Sequence, residues 1–253
     1  MRSPRPSATL ADMLPNSAES RLIVAIDVDT LEKAAPLVDA LLGSAGYFKV
    51  GLELISHCGA PQTVEWFKKR GARLFFDGKF NDIPNTVAQA SRAISQLGVD
   101  FFDIHASAGK EAMRAAVANR GGSAVLAVTV LTALSAADCE QIFGRPLPVV
   151  IRSFVESAIE AGVQGVICSP ADLKLLEAIQ CPESFLKVTP GVRPDWAAVG
   201  DQKRTCPPKD AILAGATHLV VGRPILHPPA NIGSSTEAAK RVTDEIAEAL
   251  ALL

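Results

Sequence analysis

The chain has 253 residues, 48% of them hydrophobic, with 25 basic and 27 acidic side chains and a formal charge of −2. This length suits one α/β barrel or two small domains, and the near-neutral balance gives no global pull toward nucleic acid or an anionic membrane surface. No apolar run approaches the ~20 residues of a membrane span, and the five cysteines are widely spaced with no C-x-x-C pair, which excludes an obvious disulfide framework or zinc site and points to a reducing, cytoplasmic compartment.

Residues 1–19 are rich in Ser, Pro and Ala and lack the continuous apolar stretch of a secretion signal, so they read as a loose N-terminal arm. From residue 20 to 253 short apolar strands alternate with amphipathic helices. Strands are expected at 22–27, 46–51, 73–78, 100–105, 123–131, 164–168, 185–190 and 217–222. Helices are expected near 31–42, 60–70, 84–97, 109–119, 148–161, 170–179, 207–214 and 234–251. Asp29-Thr30 and Ser169-Pro170 supply helix starts. Gly43, Gly71, Gly98, Gly121, Gly162 and Gly215 fall just past helical runs, the favoured stop position. The basic run Lys68-Lys69-Arg70 sits at a helix end, where cations favour the dipole, and reads as a solvated face rather than a nucleic-acid patch. Repeated strand–helix units imply a parallel sheet, and eight of them close a (β/α)₈ TIM barrel in one domain. A doubly wound open sheet competes, but its glycine-rich phosphate loop is missing after the first strand, Ala25-Ile26-Asp27-Val28-Asp29.

Polar residues gather where the strands exit, which is where such barrels carry their active sites. Asp27 ends the first strand, Lys49 nears the end of the second, and Asp103-Ile104-His105 closes the fourth. The third strand runs Phe75-Phe76-Asp77-Gly78-Lys79-Phe80-Asn81-Asp82, an Asp-x-Lys-x-x-Asp spacing. Residues two apart on a strand share a face, so Asp77 and Lys79 point the same way beside Phe75, with Asp82 following in the loop. A structural ion pair is the plain alternative, and His105 reads first as a rim hydrogen-bonding group. After strand seven comes Thr189-Pro190-Gly191-Val192-Arg193, and after strand eight Gly222-Arg223. An ordinary turn accounts for the latter. Yet a glycine lets backbone approach an anion while a guanidinium forks onto it, and phosphate sites in this fold lie after strands seven and eight. Two arginines there argue for a phosphorylated small molecule. The long segment from Gly191 to Arg204 has the length of a lid, and Gln202 within it offers an amide donor and acceptor.

From Arg21 to the C-terminus the chain resembles the orotidine 5′-phosphate decarboxylase family. The resemblance rests on the Asp27 strand end, Phe48-Lys49-Val50-Gly51, Asp77-Gly78-Lys79-Phe80-Asn81-Asp82-Ile83-Pro84-Asn85-Thr86, Val130-Leu131-Thr132, Thr189-Pro190-Gly191-Val192-Arg193, Asp201-Gln202-Lys203-Arg204 and Val221-Gly222-Arg223. It implies decarboxylation of orotidine 5′-monophosphate to UMP without cofactor or metal. Lys79 would protonate C6 of the pyrimidine within an alternating charge network of Lys49, Asp77, Lys79 and Asp82. Asp82, Ile83 and Thr86 would enter the neighbouring subunit's site in a homodimer. Asp27 and Lys49 would bind the ribose hydroxyls, and Thr132 the pyrimidine edge. Arg193, Gln202, Gly222 and Arg223 would hold the phosphate, with Gln202 bridging to the base, and Pro190 would contribute to the substrate site. The arm lies outside the resemblance.

The implied chemistry suits the residues. Loss of CO₂ leaves an in-plane electron pair that the ring cannot delocalise, and no cofactor motif offers an electron sink. A lysine beside that carbon stabilises the charge and then protonates it, and flanking Asp77 and Asp82 favour its ammonium form. Rival readings are a metal-dependent sugar-phosphate decarboxylase or synthase on the same scaffold, which carries an acidic ligand where Lys49 stands, a non-catalytic UMP-binding protein, and a Schiff-base aldolase, whose neutral lysine two carboxylates oppose.

Overall fold

Alternating side-chain directions along the strands build two apolar layers. In this computed structural model, which describes residues 13–197 and 205–253, Ile23 and Ala25 of β1 (Leu22–Ala25) fall in one buried cluster and Leu22 and Val24 in another. The same split recurs on β2 (Tyr47–Val50), where Tyr47 joins the first cluster and Phe48 and Val50 the second. It continues on β3 (Leu74–Phe80) and β4 (Phe101–His105), with Phe75 and Phe101 in the first. Both faces of each strand are buried, as a parallel sheet covered by helices requires. The smaller cluster fills the barrel interior, and the larger one packs the strands against the helices.

The remaining strands are β5 (Ala124–Val128), β6 (Gly165–Ile167), β7 (Leu186–Thr189) and β8 (His218–Val221). All eight pair in parallel and in chain order, with β8 closing onto β1 through Leu22↔Leu219, Ile23↔Val220 and Val24↔Val221. The barrel is therefore the one expected, and the open sheet is excluded. Every expected strand forms, and β5 is the most shortened, ending at Val128 instead of residue 131.

Eleven α-helices lie among the described residues: α1 (Leu31–Leu41), α2 (Leu52–Cys58), α3 (Ala60–Lys69), α4 (Pro84–Gln96), α5 (Lys110–Ala118), α6 (Ala136–Phe143), α7 (Leu147–Glu160), α8 (Pro170–Glu177), α9 (Pro208–Leu213), α10 (Arg223–Leu226) and α11 (Ser235–Leu250). Eight match expectation, whereas α2, α6 and α10 are additional. Thr30 caps α1 by accepting from the Lys33 N–H, and at α8 Asp172 reaches back to the Ser169 N–H. The basic run closes α3 as a helix end: Arg70 stacks 3.5 Å over Trp66, Lys69 pairs with Glu65, and Lys68 donates to the Leu97 and Gly98 carbonyls.

The stretch read as an arm is held at its end. Met13 is 1% exposed and packs with Tyr47 and Phe101 in the interior cluster, while Ser17 and Ser20 exchange hydrogen bonds. The strand starts gather at this end of the barrel. There His218 lies edge-on to Tyr47 and Phe101, each at 5.7 Å, and Arg73 sits 4.2 Å over the Tyr47 ring. No described helix is long and apolar enough to cross a membrane.

Candidate active site

The interior face that carries Tyr47, Phe75 and Phe101 at the strand starts turns polar toward the strand ends. Two residues beyond each of these aromatics stand Lys49, Asp77 and Asp103. Asp27 follows Ala25 on the same parity, just past the end of β1. The barrel thereby projects four charged side chains from adjacent strands into one region. Together with Lys79, also on β3, they form an alternating chain of five. Lys49 Nζ lies 3.0 Å from Asp27 Oδ1 and 3.1 Å from Asp77 Oδ2. Lys79 Nζ pairs with Asp77 on one side and lies 2.8 Å from Asp103 Oδ2 on the other. The order is Asp27, Lys49, Asp77, Lys79, Asp103, with the charge sign changing at every step. Pairing of this kind offsets the cost of taking these groups out of water.

β3 departs from regular geometry at this point. Its register against β4 shifts between Phe76 and Phe80. Lys79 adopts φ 51°, and no other described non-glycine residue has a positive φ. The Lys79 N–H donates to Asp103 Oδ1 at 2.8 Å. The bulge re-aims Lys79 while Asp77 and Lys79 both keep lining the same cavity.

That cavity encloses about 280 Å³. Asp27, Lys49, Asp77 and Lys79 line it, as do Thr132 after β5, Pro190 and Arg193 after β7, and Gly222 and Arg223 after β8. Phe75, Val128, Ile167 and Val220 supply apolar surface. Gly191, at φ 80°, makes the turn that follows β7, and the Arg193 N–H donates to the Cys206 carbonyl, tying together the two ends of the long β7–α9 segment. Arg193 is buried, and its guanidinium and that of Arg223 bring fixed positive charge to the same cavity as the Lys79 ammonium. Such a site accommodates a small polar molecule with an anionic tail.

The sequence-predicted residues divide into three groups. Asp27, Lys49, Asp77, Lys79, Thr132, Pro190, Arg193, Gly222 and Arg223 come together. Asp82, Ile83 and Thr86 do not; they are exposed at the start of α4, and Asp82 accepts the N–H of Ile83. Gln202 lies outside the described residues. Within this chain the second carboxylate beside Lys79 is therefore Asp103, not Asp82. Asp103 has no exposed surface. Strand parity alone could have found it, since Phe101, Asp103 and His105 share a face. Burial lowers the His105 imidazole below its usual range; nearby Asp103 raises it and Lys79 lowers it further.

A closed (β/α)₈ barrel with an ion-pair chain and two guanidiniums around one cavity is an enzyme scaffold for an anionic small molecule. The chain belongs to the Orotidine 5′-phosphate decarboxylase / HUMPS family, whose sequence model matches residues 20–239. It is 45% identical over 246 residues to the orotidine 5′-phosphate decarboxylase of Heliobacterium modesticaldum, covering 92% of this chain and 98% of that protein. It is 41% identical to that of Moorella thermoacetica, covering 92% and 96%. The crystal structure of orotidine 5′-phosphate decarboxylase from Lactobacillus acidophilus superposes with a TM-score of 0.76 at 32% identity, covering 89% of this chain and 98% of that one.

Proposed function

We propose that this chain converts orotidine 5′-monophosphate to UMP and CO₂ without a cofactor, in the pyrimidine biosynthesis of the cytoplasm. The observation that carries the reading is the Lys79 ammonium, held by carboxylates in a cavity that Arg193 and Arg223 also line. The C6–carboxylate bond breaks and its electron pair stays on C6. Lys79 delivers a proton to that carbon and is itself reprotonated from solvent. Its charge stabilises the developing carbanion in a site already organised to do so.

Asp77 contributes less. Repulsion between it and the substrate carboxylate is worth about 4 kcal/mol at ~4 Å and an effective dielectric of ~20. Enzymes lower barriers by ~8–23 kcal/mol, so preorganised electrostatics at Lys79 carry the larger part. Asp27 and Lys49 bind the ribose hydroxyls, and Thr132 reads the pyrimidine edge. Arg193, Gly222 and Arg223 hold the phosphate, with Gln202 reaching from phosphate to base, and Pro190 lines the substrate cavity. Asp82, Ile83 and Thr86 enter the partner subunit's site. Their exposure fits that role: Ile83 is 66% exposed, an apolar side chain suited to burial against a second copy.

The metal-dependent sugar-phosphate chemistry also found on this scaffold fits the charge chain poorly. The Lys49 ammonium already bridges Asp27 and Asp77, where a divalent cation would need its carboxylate ligands. Incubation with orotidine 5′-monophosphate tests the proposal: orotate absorbance falls and UMP accumulates, in the presence of a chelator as in its absence. Lys79→Ala abolishes turnover and retains UMP binding. A chelator-sensitive reaction, or near-normal turnover by Lys79→Ala, overturns it.

A further inference from the structure

Asp103 makes two bonds to one residue. Its Oδ1 accepts the Lys79 backbone N–H at 2.8 Å, and its Oδ2 accepts the Lys79 ammonium at 2.8 Å. It is fully buried, whereas the Lys79 side chain is 24% exposed. It comes from β4, the strand next to the bulge, and the bonded residues are 24 positions apart in sequence. Lys79 meanwhile holds the left-handed backbone that L-residues avoid. Such a conformation persists where its surroundings over-determine it. A single rigid carboxylate that bonds both the N–H and the Nζ of Lys79 does this, because it fixes the root and the tip of the side chain together.

We propose that Asp103 is a positioning residue for Lys79. It holds the bulged backbone and aims the ammonium into the cavity beside Asp77. The inference rests on the reading of Lys79 as the proton donor. Asp77, by contrast, contacts both lysines and lines the cavity, so its loss disturbs the ligand as well as the donor. Asp103 does not line the cavity, so its loss is felt at the donor alone.

The near-isosteric Asp103→Asn tests this. Its carboxamide oxygen keeps an acceptor for the Lys79 N–H, and its other end no longer accepts the ammonium. A displaced donor costs catalysis up to about 100-fold, so kcat for orotidine 5′-monophosphate is expected to fall about 10- to 100-fold while KM and UMP affinity change less than about 3-fold. A purely structural role weakens UMP binding along with kcat. Unchanged kcat, or an equal loss of kcat and UMP affinity, overturns the proposal.

A stability cycle provides a readout without turnover. Asp103→Asn lowers the unfolding midpoint of the wild type and raises that of Lys79→Ala, where Asp103 is left buried without its cation. Equal shifts in both backgrounds overturn the pairing. A wild type that is inert toward orotidine 5′-monophosphate sinks the functional reading instead, and the cycle still decides whether Asp103 holds Lys79. Should Asp103→Asn alone fail to fold, its rescue in the Lys79→Ala background supports the coupling, and failure of both chains to fold overturns it.

Discussion

Arg223 and Lys79 line one cavity but are proposed to act on different parts of a nucleotide, and substitution separates the two roles. A guanidinium hydrogen-bonded to phosphate contributes about 1.5–3 kcal/mol. Arg223→Ala is expected to weaken UMP binding about 10- to 100-fold, and to leave the affinity for uridine, which has no phosphate, within about 3-fold. Isothermal titration with the two ligands makes the comparison, and equal losses for both would show that Arg223 does not serve the phosphate. Lys49 is a different case, since its ammonium holds together Asp27 and Asp77. Lys49→Ala leaves two carboxylates facing each other and should harm both binding and turnover.

The strands place these groups, and their packing leaves little freedom. On β6, Gly165 lies opposite Leu186 of β7. A Cβ at Gly165 would stand 2.4 Å from the Leu186 carbonyl oxygen, which is backbone and cannot rotate aside. Gly165→Ala should therefore destabilise the barrel by about 1–3 kcal/mol or more, read as a lowered midpoint in urea. Unchanged stability would mean the β6–β7 spacing is looser than described. The helices missed in the sequence are short or lie inside loops. The β5–α7 connection hides α6, although Ser135 and Asp138 form a capping box that the S-x-x-D spacing announced. Gly222-Arg223 offered a turn in the sequence, whereas Arg223 opens α10 with Pro224 near its start, where a proline is well tolerated.

Across the whole molecule the two ends of the barrel divide stability from chemistry. Opposite the cavity, His218 is buried against Tyr47 and Phe101, and its Nε2 has no hydrogen-bond partner among the described residues. Burial, aided by Arg21 and Arg73, pushes its imidazole down to about 3. An unfolded histidine titrates near ~6.5. Between those values the unfolded chain takes up a proton that the native chain refuses, so stability falls as pH drops through the window, by up to about 1.4 kcal/mol per pH unit. His218→Phe should flatten that slope in urea midpoints measured from pH 6.5 downward, and an unchanged slope would assign acid sensitivity elsewhere. The exposed Asp82 and Ile83 lead to a prediction about assembly. Mixed dimers of Lys79→Ala and Asp82→Asn chains contain one intact site if the subunits share residues. Activity should reappear on mixing, and verified heterodimers without activity would exclude sharing.

The sequence by itself determined the eight-strand alternation, the closure class and most of the charged strand ends, because period-two patterning and helix stop signals are local. Gly98 and Gly162, read as helix stops, do adopt positive φ. Asp27, Lys49, Asp77 and Lys79 were legible for the same reason, since each sits where its own strand leaves the barrel. Which carboxylate meets Lys79 was not local. Asp82 is three residues away yet faces outward, while Asp103 is 24 away and in contact. Only the β3–β4 register, the bulge and the left-handed turn at Lys79 decide that. Likewise nothing local in the Ser- and Pro-rich start placed Met13 in the barrel interior. Contacts between distant segments depend on how strands align and close, and that alignment is set by the packing of the whole barrel.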